Sequence, residues 1–236
     1  MTQRRIVVTG ASSGIGWETS LLLAEPGVGL VLAARRRDRL EELAELCRAR
    51  GVDWVEACEC DLTDLESVRR LGDRVGETSG GELCLVNNAG NAVLKPFLEM
   101  TPEQIENQIQ VNFVGPAWVT HVLLPHVLAS QGQIVNVLSV AATMPLMGAT
   151  AYGAAKAGSH LMARSLALEV RKRGVRITNI HPGATDTPIW EGQDWRPATD
   201  SMLPVAAVAE AIRDALCSPR DRALDEIVLM PPGGLG

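Results

Sequence analysis

Seven short runs rich in valine, isoleucine and leucine recur along the chain, separated by longer segments of helical period. They lie near Arg5 to Thr9, Gly29 to Ala34, Asp53 to Cys60, Leu83 to Asn87, Gln133 to Ser139, Arg176 to His181 and Glu226 to Met230. Most are apolar throughout and do not alternate with polar residues, the pattern of strands covered on both faces. Strands separated by helix-length crossovers pair in parallel, because an antiparallel partner needs only a tight turn. The pattern therefore predicts an α/β fold, one doubly wound parallel sheet of about seven strands with helices on both faces. The 236 residues suit a single domain, 1–236, since a chain of that size buries roughly 70 to 75% of its unfolded surface.

The helices announce their starts. "DRLEEL" begins at Asp38, "TDLESV" has Thr63 followed three residues on by Glu66, and "TPEQIE" offers Thr101 as cap, Pro102 in the first turn and Gln104 to close a capping box. One stretch reads as a long loop, Gly183 to Pro204, polar, rich in proline and threonine and carrying Trp190 and Trp195. A loop of that length in a compact domain is usually functional, and it is expected to face the substrate.

Charge and composition exclude several classes. A net charge of -6 argues against nucleic acid, and the basic residues form no stripe suited to anionic lipid. The longest apolar stretches are interrupted at Glu25-Pro26-Gly27 or by Pro116 and Pro125, so no membrane span is expected. The N-terminus passes from two arginines straight into a strand, without a signal-peptide pattern, and a cytoplasmic location is expected. Five cysteines without CxxC spacing and four histidines without HExxH predict neither a disulfide framework nor a metal site. Cys58 and Cys60 read as small hydrophobes on one strand face.

The first strand runs into "TGASSGIG", where Gly10, Gly14 and Gly16 mark the turn into a helix. Glycines there let backbone approach a pyrophosphate, and the helix N-terminus favours its charge. The spacing is GxxxGxG rather than GxGxxG, and Ser12, Ser13 and Ile15 complete the candidate cofactor loop. After the second strand, an NAD site of this type wants an acidic residue for the ribose hydroxyls. Here Ala34 is followed by Arg35, Arg36 and Arg37. Three cations ahead of a helix N-terminus call for an anion, which points to the 2′-phosphate of NADP(H), with Arg35 and Arg36 as its ligands.

The only tyrosine of the chain, Tyr152, precedes Lys156 by four residues, in a region from Glu106 to Arg164 that has no other formal charge between its ends. Residues at i and i+4 share a helix face. A cation near a phenol lowers its pKa from about 10 and would tune it for proton transfer. A core tyrosine beside a snorkelling lysine gives the same spacing, and that structural reading stays open. Ser139 ends the fifth strand on the side of the glycine loop, where it is either a turn former or a third member of a site.

In order and approximate spacing, "TGASSGIG", "CDLTD", "NNAG" at Asn87 to Gly90, Ser139, Tyr152-xxx-Lys156 and "HPGATDT" resemble the classical short-chain dehydrogenase/reductases across essentially the whole chain. The resemblance implies a Rossmann-type, nicotinamide-dependent oxidoreductase. It assigns Tyr152 as general acid in reduction, Ser139 as hydrogen-bond donor to the substrate oxygen, and Lys156 as binder of the nicotinamide ribose and tuner of the tyrosine. Asn112 in "QVNFVG" takes the part of the asparagine that holds a proton-relay water, or bonds back to its own helix near Pro116. Asp61 and Leu62 would flank the adenine, Asn88, Ala89 and Gly90 would line the cofactor, and Pro182, Gly183, Thr185 and Thr187 would embrace the nicotinamide end. A homodimer or homotetramer built through the Glu103 to Leu128 and Tyr152 to Arg171 helices is implied in the same way.

Met144, Leu146, Met147, Ile189, Trp190 and Trp195 suggest an apolar pocket for a small-molecule ketone, aldehyde or secondary alcohol, and they would equally cover a core. Two other functions fit less of the pattern. A reductase of 3-oxoacyl thioesters on acyl carrier protein typically ends in a Val-Asp-Gly-Gly-like sequence, whereas this chain ends "DEIVLMPPGGLG". A non-catalytic protein that senses NADPH would have a broken catalytic set, and here all four positions are filled.

Overall fold

The computed structural model describes residues 3–193 and 195–234. Asp194 in the long loop and the last two residues of "DEIVLMPPGGLG" lie outside the described residues. Seven strands, β1 (Arg4–Thr9), β2 (Val28–Ala34), β3 (Trp54–Glu59), β4 (Glu82–Asn87), β5 (Gln133–Val137), β6 (Arg176–Pro182) and β7 (Glu226–Leu229), form one sheet in the order β3-β2-β1-β4-β5-β6-β7. Every pairing is parallel. The order reverses direction between β1 and β4, and this switch opens a crevice beyond the strands' carboxyl ends.

Among the described residues seven α-helices cover the sheet: α1 (Gly14–Leu22), α2 (Arg37–Ala49), α3 (Leu65–Glu77), α4 (Pro102–Ile109), α5 (Gly115–Ala129), α6 (Thr150–Val170) and α7 (Val205–Cys217). The twofold alternation of strand side chains divides the core cleanly. Ile6 and Val8 of β1 and Leu30 and Leu32 of β2 pack with Leu40 and Leu43 of α2 and Val208 and Ile212 of α7. Val7 and Val31, from the same strands, face the other way onto Val68 and Leu71 of α3, Val119 and Leu123 of α5 and Ala163 of α6. Both layers are apolar, which explains why the sequence runs do not alternate.

Several local expectations shift. The cap of α3 is Asp64, whose side chain accepts from the Glu66 N–H, and not Thr63. The capping box at Thr101 and Gln104 is present in full. β5 stops at Val137, two residues before Ser139, which caps the 3₁₀ turn Val140–Ala142 instead. Neither Pro116 nor Pro125 ends its helix: Pro116 stands in the first turn of α5 and Pro125 lies inside it. A π-helical turn, Gln110–Val114, joins α4 to α5 without a break. The continuous run Pro102–Ala129 is the one helix among the described residues long and apolar enough to cross a membrane. It is a core helix, with Val119, Leu123 and Val127 buried in the α3/α5/α6 layer. Cys60 is buried in that layer and Cys58 packs against it, as expected for one face.

Candidate active site

The glycine loop leaves β1 with Gly10 and Gly14 at φ of 67° and 54°, in the left-handed region that side chains resist. Ser13, at the N-cap of α1, makes no side-chain cap bond, so the first-turn N–H groups are free to meet an anion. Gly16 has a different task. A Cβ there would sit 2.4 Å from the Gly10 carbonyl oxygen and 2.5 Å from Asn88 Nδ2, so its absence lets α1 pack on the "NNAG" turn, and Gly16 does not line the cleft. Thr9, which sequence reasoning missed, ties the two turns together. Its Oγ1 accepts the N–H groups of Asn88 and Ala89 at 3.0 and 3.1 Å, while Asn88 Nδ2 donates to the Thr9 carbonyl at 2.9 Å.

Beside this loop, Arg36 donates to Ser12 Oγ at 3.0 Å and to the Ser12 carbonyl at 3.3 Å. Arg37 turns away to Glu41 at 2.9 Å. Arg35 has no hydrogen-bond or ion-pair partner among the described residues and lines the cleft with Arg36. The sequence puts arginines and no acid directly after β2, but the fold brings two carboxylates near from other segments. Glu59, from the end of β3, and Asp61 share with Arg35 and Arg70 a recess of about 470 Å³. The Asp61 carboxylate is already engaged by the Thr63 N–H and hydroxyl at 2.9 and 2.8 Å. Asp61 and Leu62 both line the cleft.

At the chemical end, α6 presents Tyr152 and Lys156 on one face, with Ser139 opposite. Ser139 Oγ accepts the Ala141 N–H at 3.1 Å, and its own O–H remains available to donate, to the Tyr152 oxygen in the free protein. Burial pushes the Tyr152 phenol above its ordinary pKa, and the Ser139 side chain only partly opposes this. The lysine is no counterweight here. Its ammonium lies 5.8 Å from the Tyr152 ring centroid and donates to the Val137 carbonyl at 3.1 Å, and burial pulls its pKa down to about 8. The expected lowering of the tyrosine pKa by its lysine is therefore reversed in the free protein, because desolvation disfavours both charged forms.

Asn112 occupies the π-helical turn and is buried. Its Nδ2 donates to the Asn91 carbonyl at 2.9 Å and back to the Gln108 carbonyl at 3.1 Å, and its Oδ1 accepts the Asn91 N–H at 3.3 Å. The back-bonding reading thus holds, and Asn112 still reaches the site: a Cβ on Gly90 would fall 2.8 Å from Asn112 Oδ1 and 3.5 Å from Lys156 Nζ. Ser159 donates to the Asn112 carbonyl at 2.8 Å.

The long loop is more ordered than its composition suggests. Thr185 bridges to Leu203, two 3₁₀ turns (Pro188–Trp190 and Thr199–Ser201) stiffen it, and Trp190 Nε1 donates to the Thr185 carbonyl at 2.8 Å. Gln193 clamps it across the cleft, donating to the Ala92 carbonyl at 2.7 Å and accepting the Leu94 N–H at 3.0 Å. No spacing in the sequence marks Gln193. Pro182, Gly183, Thr185, Thr187, Leu146, Met147, Ile189, Trp190 and Trp195 line the cleft of about 1250 Å³, and Met144 does not. Met144 is exposed on the turn after Ser139. Lys95, Glu191 and Arg196 stand on the same wall, Arg196 paired with Asp186 at 2.6 Å.

A glycine turn at a parallel sheet's switch point, a buried lysine with a nearby tyrosine and serine, and an arginine pair behind β2 define a dinucleotide-binding oxidoreductase site. Residues 4–196 match the short chain dehydrogenase family model. The chain belongs to the short-chain dehydrogenase/reductase family. It is 32% identical over 232 residues to an uncharacterized oxidoreductase of Staphylococcus aureus (strain N315), covering 98% of each chain. With one from Staphylococcus saprophyticus it shares 35% identity over 226 residues, 95% of this chain and 96% of that one. Among solved structures, an alcohol dehydrogenase of the archaeon Thermococcus sibiricus complexed with 5-hydroxy-NADP superposes with a TM-score of 0.89 at 29% identity, covering 98% of this chain and 97% of that chain. A short-chain dehydrogenase from Sphingobium yanoikuyae in complex with NADPH gives 0.83 at 34% identity over 97% of this chain and 88% of that chain.

Proposed function

We propose that the protein is an NADP(H)-dependent reductase of ketones or aldehydes, or equally a dehydrogenase of the corresponding secondary or primary alcohols. The observation that carries the reading is the pair of arginines behind β2 next to an assembled Ser139, Tyr152 and Lys156. The residues fit the cofactor: an open helix N-terminus for the pyrophosphate, an unpartnered Arg35 with Arg36 for the 2′-phosphate, and a buried ammonium with N–H groups to spare for ribose hydroxyls. The NADP-type ligands in the similar solved structures support the same choice. When bound, the nicotinamide supplies or accepts the hydride.

The protein's own groups manage the oxygen. Ser139, its lone pair already engaged by Ala141, donates its O–H to the substrate carbonyl and stabilises negative charge as it grows. Tyr152, kept protonated by burial, delivers its proton to that oxygen. Lys156, anchored on Val137, orients the ribose, and Asn112, in the π-helical turn, would hold a proton-relay water. Leu146, Met147, Ile189 and Trp190 suit an apolar substrate body. We also read the enzyme as cytoplasmic, consistent with its five free cysteines, and as a homodimer or homotetramer, since Leu161 and Leu168 of α6 are exposed two turns apart on one face.

The test follows NADPH and NADH absorbance with a panel of ketones, aldehydes, 3-oxoacyl thioesters and alcohols. Turnover of an apolar carbonyl with NADPH preferred is the expected result. NADH preference would refute the arginine reading, thioester-only activity would make it an acyl-carrier reductase, and NADPH binding without any turnover would make it a sensor.

A further inference from the structure

Behind the catalytic serine, on the α5/α6 side of the sheet, four side chains join hands across neighbouring strands. Asn87 Nδ2 donates to Asn136 Oδ1 at 3.1 Å, Asn136 Nδ2 to Asn179 Oδ1 at 3.0 Å, and Asn179 Nδ2 to Glu226 Oε1 at 3.1 Å. Each pair is in register between β4, β5, β6 and β7. The last rung holds the Glu226 carboxylate against two imidazoles, His160 Nε2 at 2.9 Å and His181 Nε2 at 2.6 Å. Their rings meet edge to face, with centroids 4.7 Å apart.

The three groups have a composition that could ligate a metal, which no spacing in the sequence indicated. The distances suit shared protons better: ligand atoms about 2.0 to 2.2 Å from a common zinc ion stand roughly 3 Å or more from one another. His181 is only 1% exposed, and its Nδ1 lies 3.1 Å from the Ser139 carbonyl oxygen. Both of its ring nitrogens thus face acceptors. A neutral imidazole has one N–H and one lone pair, and a lone pair aimed at either oxygen would be repelled. Burial works to raise the Glu226 pKa, but the bonds from His160, His181 and Asn179 outweigh it and hold the carboxyl below its usual value, so it supplies no proton.

We propose that His181 is an imidazolium locked by Glu226, and that it acts as a positioning residue for Ser139. Its Nδ1–H takes the second lone pair of the Ser139 carbonyl, whose first accepts the Ala142 N–H at 3.0 Å in the 3₁₀ turn. The peptide that carries the serine is pinned from two sides, and the hydroxyl inherits that precision. The role rests on the reading of Ser139 as the group that binds the substrate oxygen.

Two measurements separate this from mere packing and from failure of the enzymatic reading. Nitrogen-15 NMR of the full chain labelled at histidine, at pH 7, is expected to show both ring nitrogens of His181 protonated; an unprotonated nitrogen overturns the proposal whatever the enzyme does. In carbonyl reduction, His181→Asn, whose Nδ2 stands in for Nδ1, should keep kcat within threefold of wild type. His181→Leu should lower kcat tenfold or more, with the Kd for NADPH within twofold in both. The opposite order, leucine active and asparagine not, means that the ring only fills space and overturns the role. A doubly protonated ring in a wild-type protein with no carbonyl turnover would retire the proposed function, and the Ser139 role with it, while the charge state stood.

Discussion

The two ends of the cleft are built from different material. The cofactor end is backbone held by its neighbours: Gly10 and Gly14 in left-handed conformations, Thr9 gripping the "NNAG" turn, and a helix N-terminus left uncapped. The substrate end is side chain on a long loop, secured by single polar contacts such as Trp190 to Thr185 and Gln193 to Ala92 and Leu94. A pyrophosphate and a ribose are constant, so rigid main chain suits them. A variable substrate is met by a surface that can change without disturbing the sheet.

Tyr152 lies where the ends meet, and its loss should have the largest effect. Tyr152→Phe is expected to lower kcat by about 10³-fold or more while NADPH binding, followed by fluorescence titration, stays within twofold. Substantial turnover in that variant would sink the assignment. At the cofactor end, Arg35→Glu should reduce kcat/KM for NADPH by roughly tenfold to a hundredfold and leave NADH nearly unchanged. Equal losses with both cofactors would mean that the recess shared with Glu59 and Asp61, and not a 2′-phosphate, sets the role of Arg35.

Lys156 allows a prediction about stability. An ammonium whose pKa falls from 10.5 unfolded to about 8 folded costs the free protein on the order of 3 kcal/mol below pH 8. Between those two values the unfolded chain binds the extra proton, so stability from this group rises with pH and the cost fades. Lys156→Met should therefore raise the Tm of the cofactor-free protein at pH 7, the gain shrinking toward pH 10, and should weaken NADPH binding. A lower Tm at pH 7 would show that the ammonium is well solvated.

The raised phenol pKa carries its own sign. Tyr152 is protonated at neutral pH, so carbonyl reduction should hold near pH 7, while alcohol oxidation, which needs the phenolate, should climb with pH. Oxidation faster at pH 6 than at pH 9 would contradict it. The smallest effect belongs to the substrate end: Gln193→Ala frees the loop and should raise KM for the carbonyl a few-fold with kcat and NADPH affinity little altered. A change in NADPH affinity as large as that in KM would show that the two ends are not separable.

All seven strands were legible within about two residues: the inner strands because burial on both faces leaves a nearly unbroken apolar run, and the half-exposed edge strands β3 and β7 because their valines and isoleucines stand between helical segments. The glycine turn and the Tyr152 to Lys156 spacing were legible too, since both are local geometry. Met144 stands exposed outside the cleft lining, since an apolar residue on a turn carries no mark in the sequence of the side it faces. The packing of Gly16 against the "NNAG" turn was not legible, because packing glycines and binding glycines look alike in a row.

The order of residues alone thus carries the scaffold and its local devices: the parallel sheet, the phosphate turn, the arginines in place of an acid, and the pairing of a tyrosine with a lysine. How those devices are tuned came from the folded arrangement. It raised the tyrosine pKa instead of lowering it, set Glu59 beside Arg35, and enclosed His181 between Ser139 and Glu226. The physical reason is one of range: burial and hydrogen bonding join residues from different strands and helices, and their registers come from packing the whole sheet rather than from any short stretch of chain.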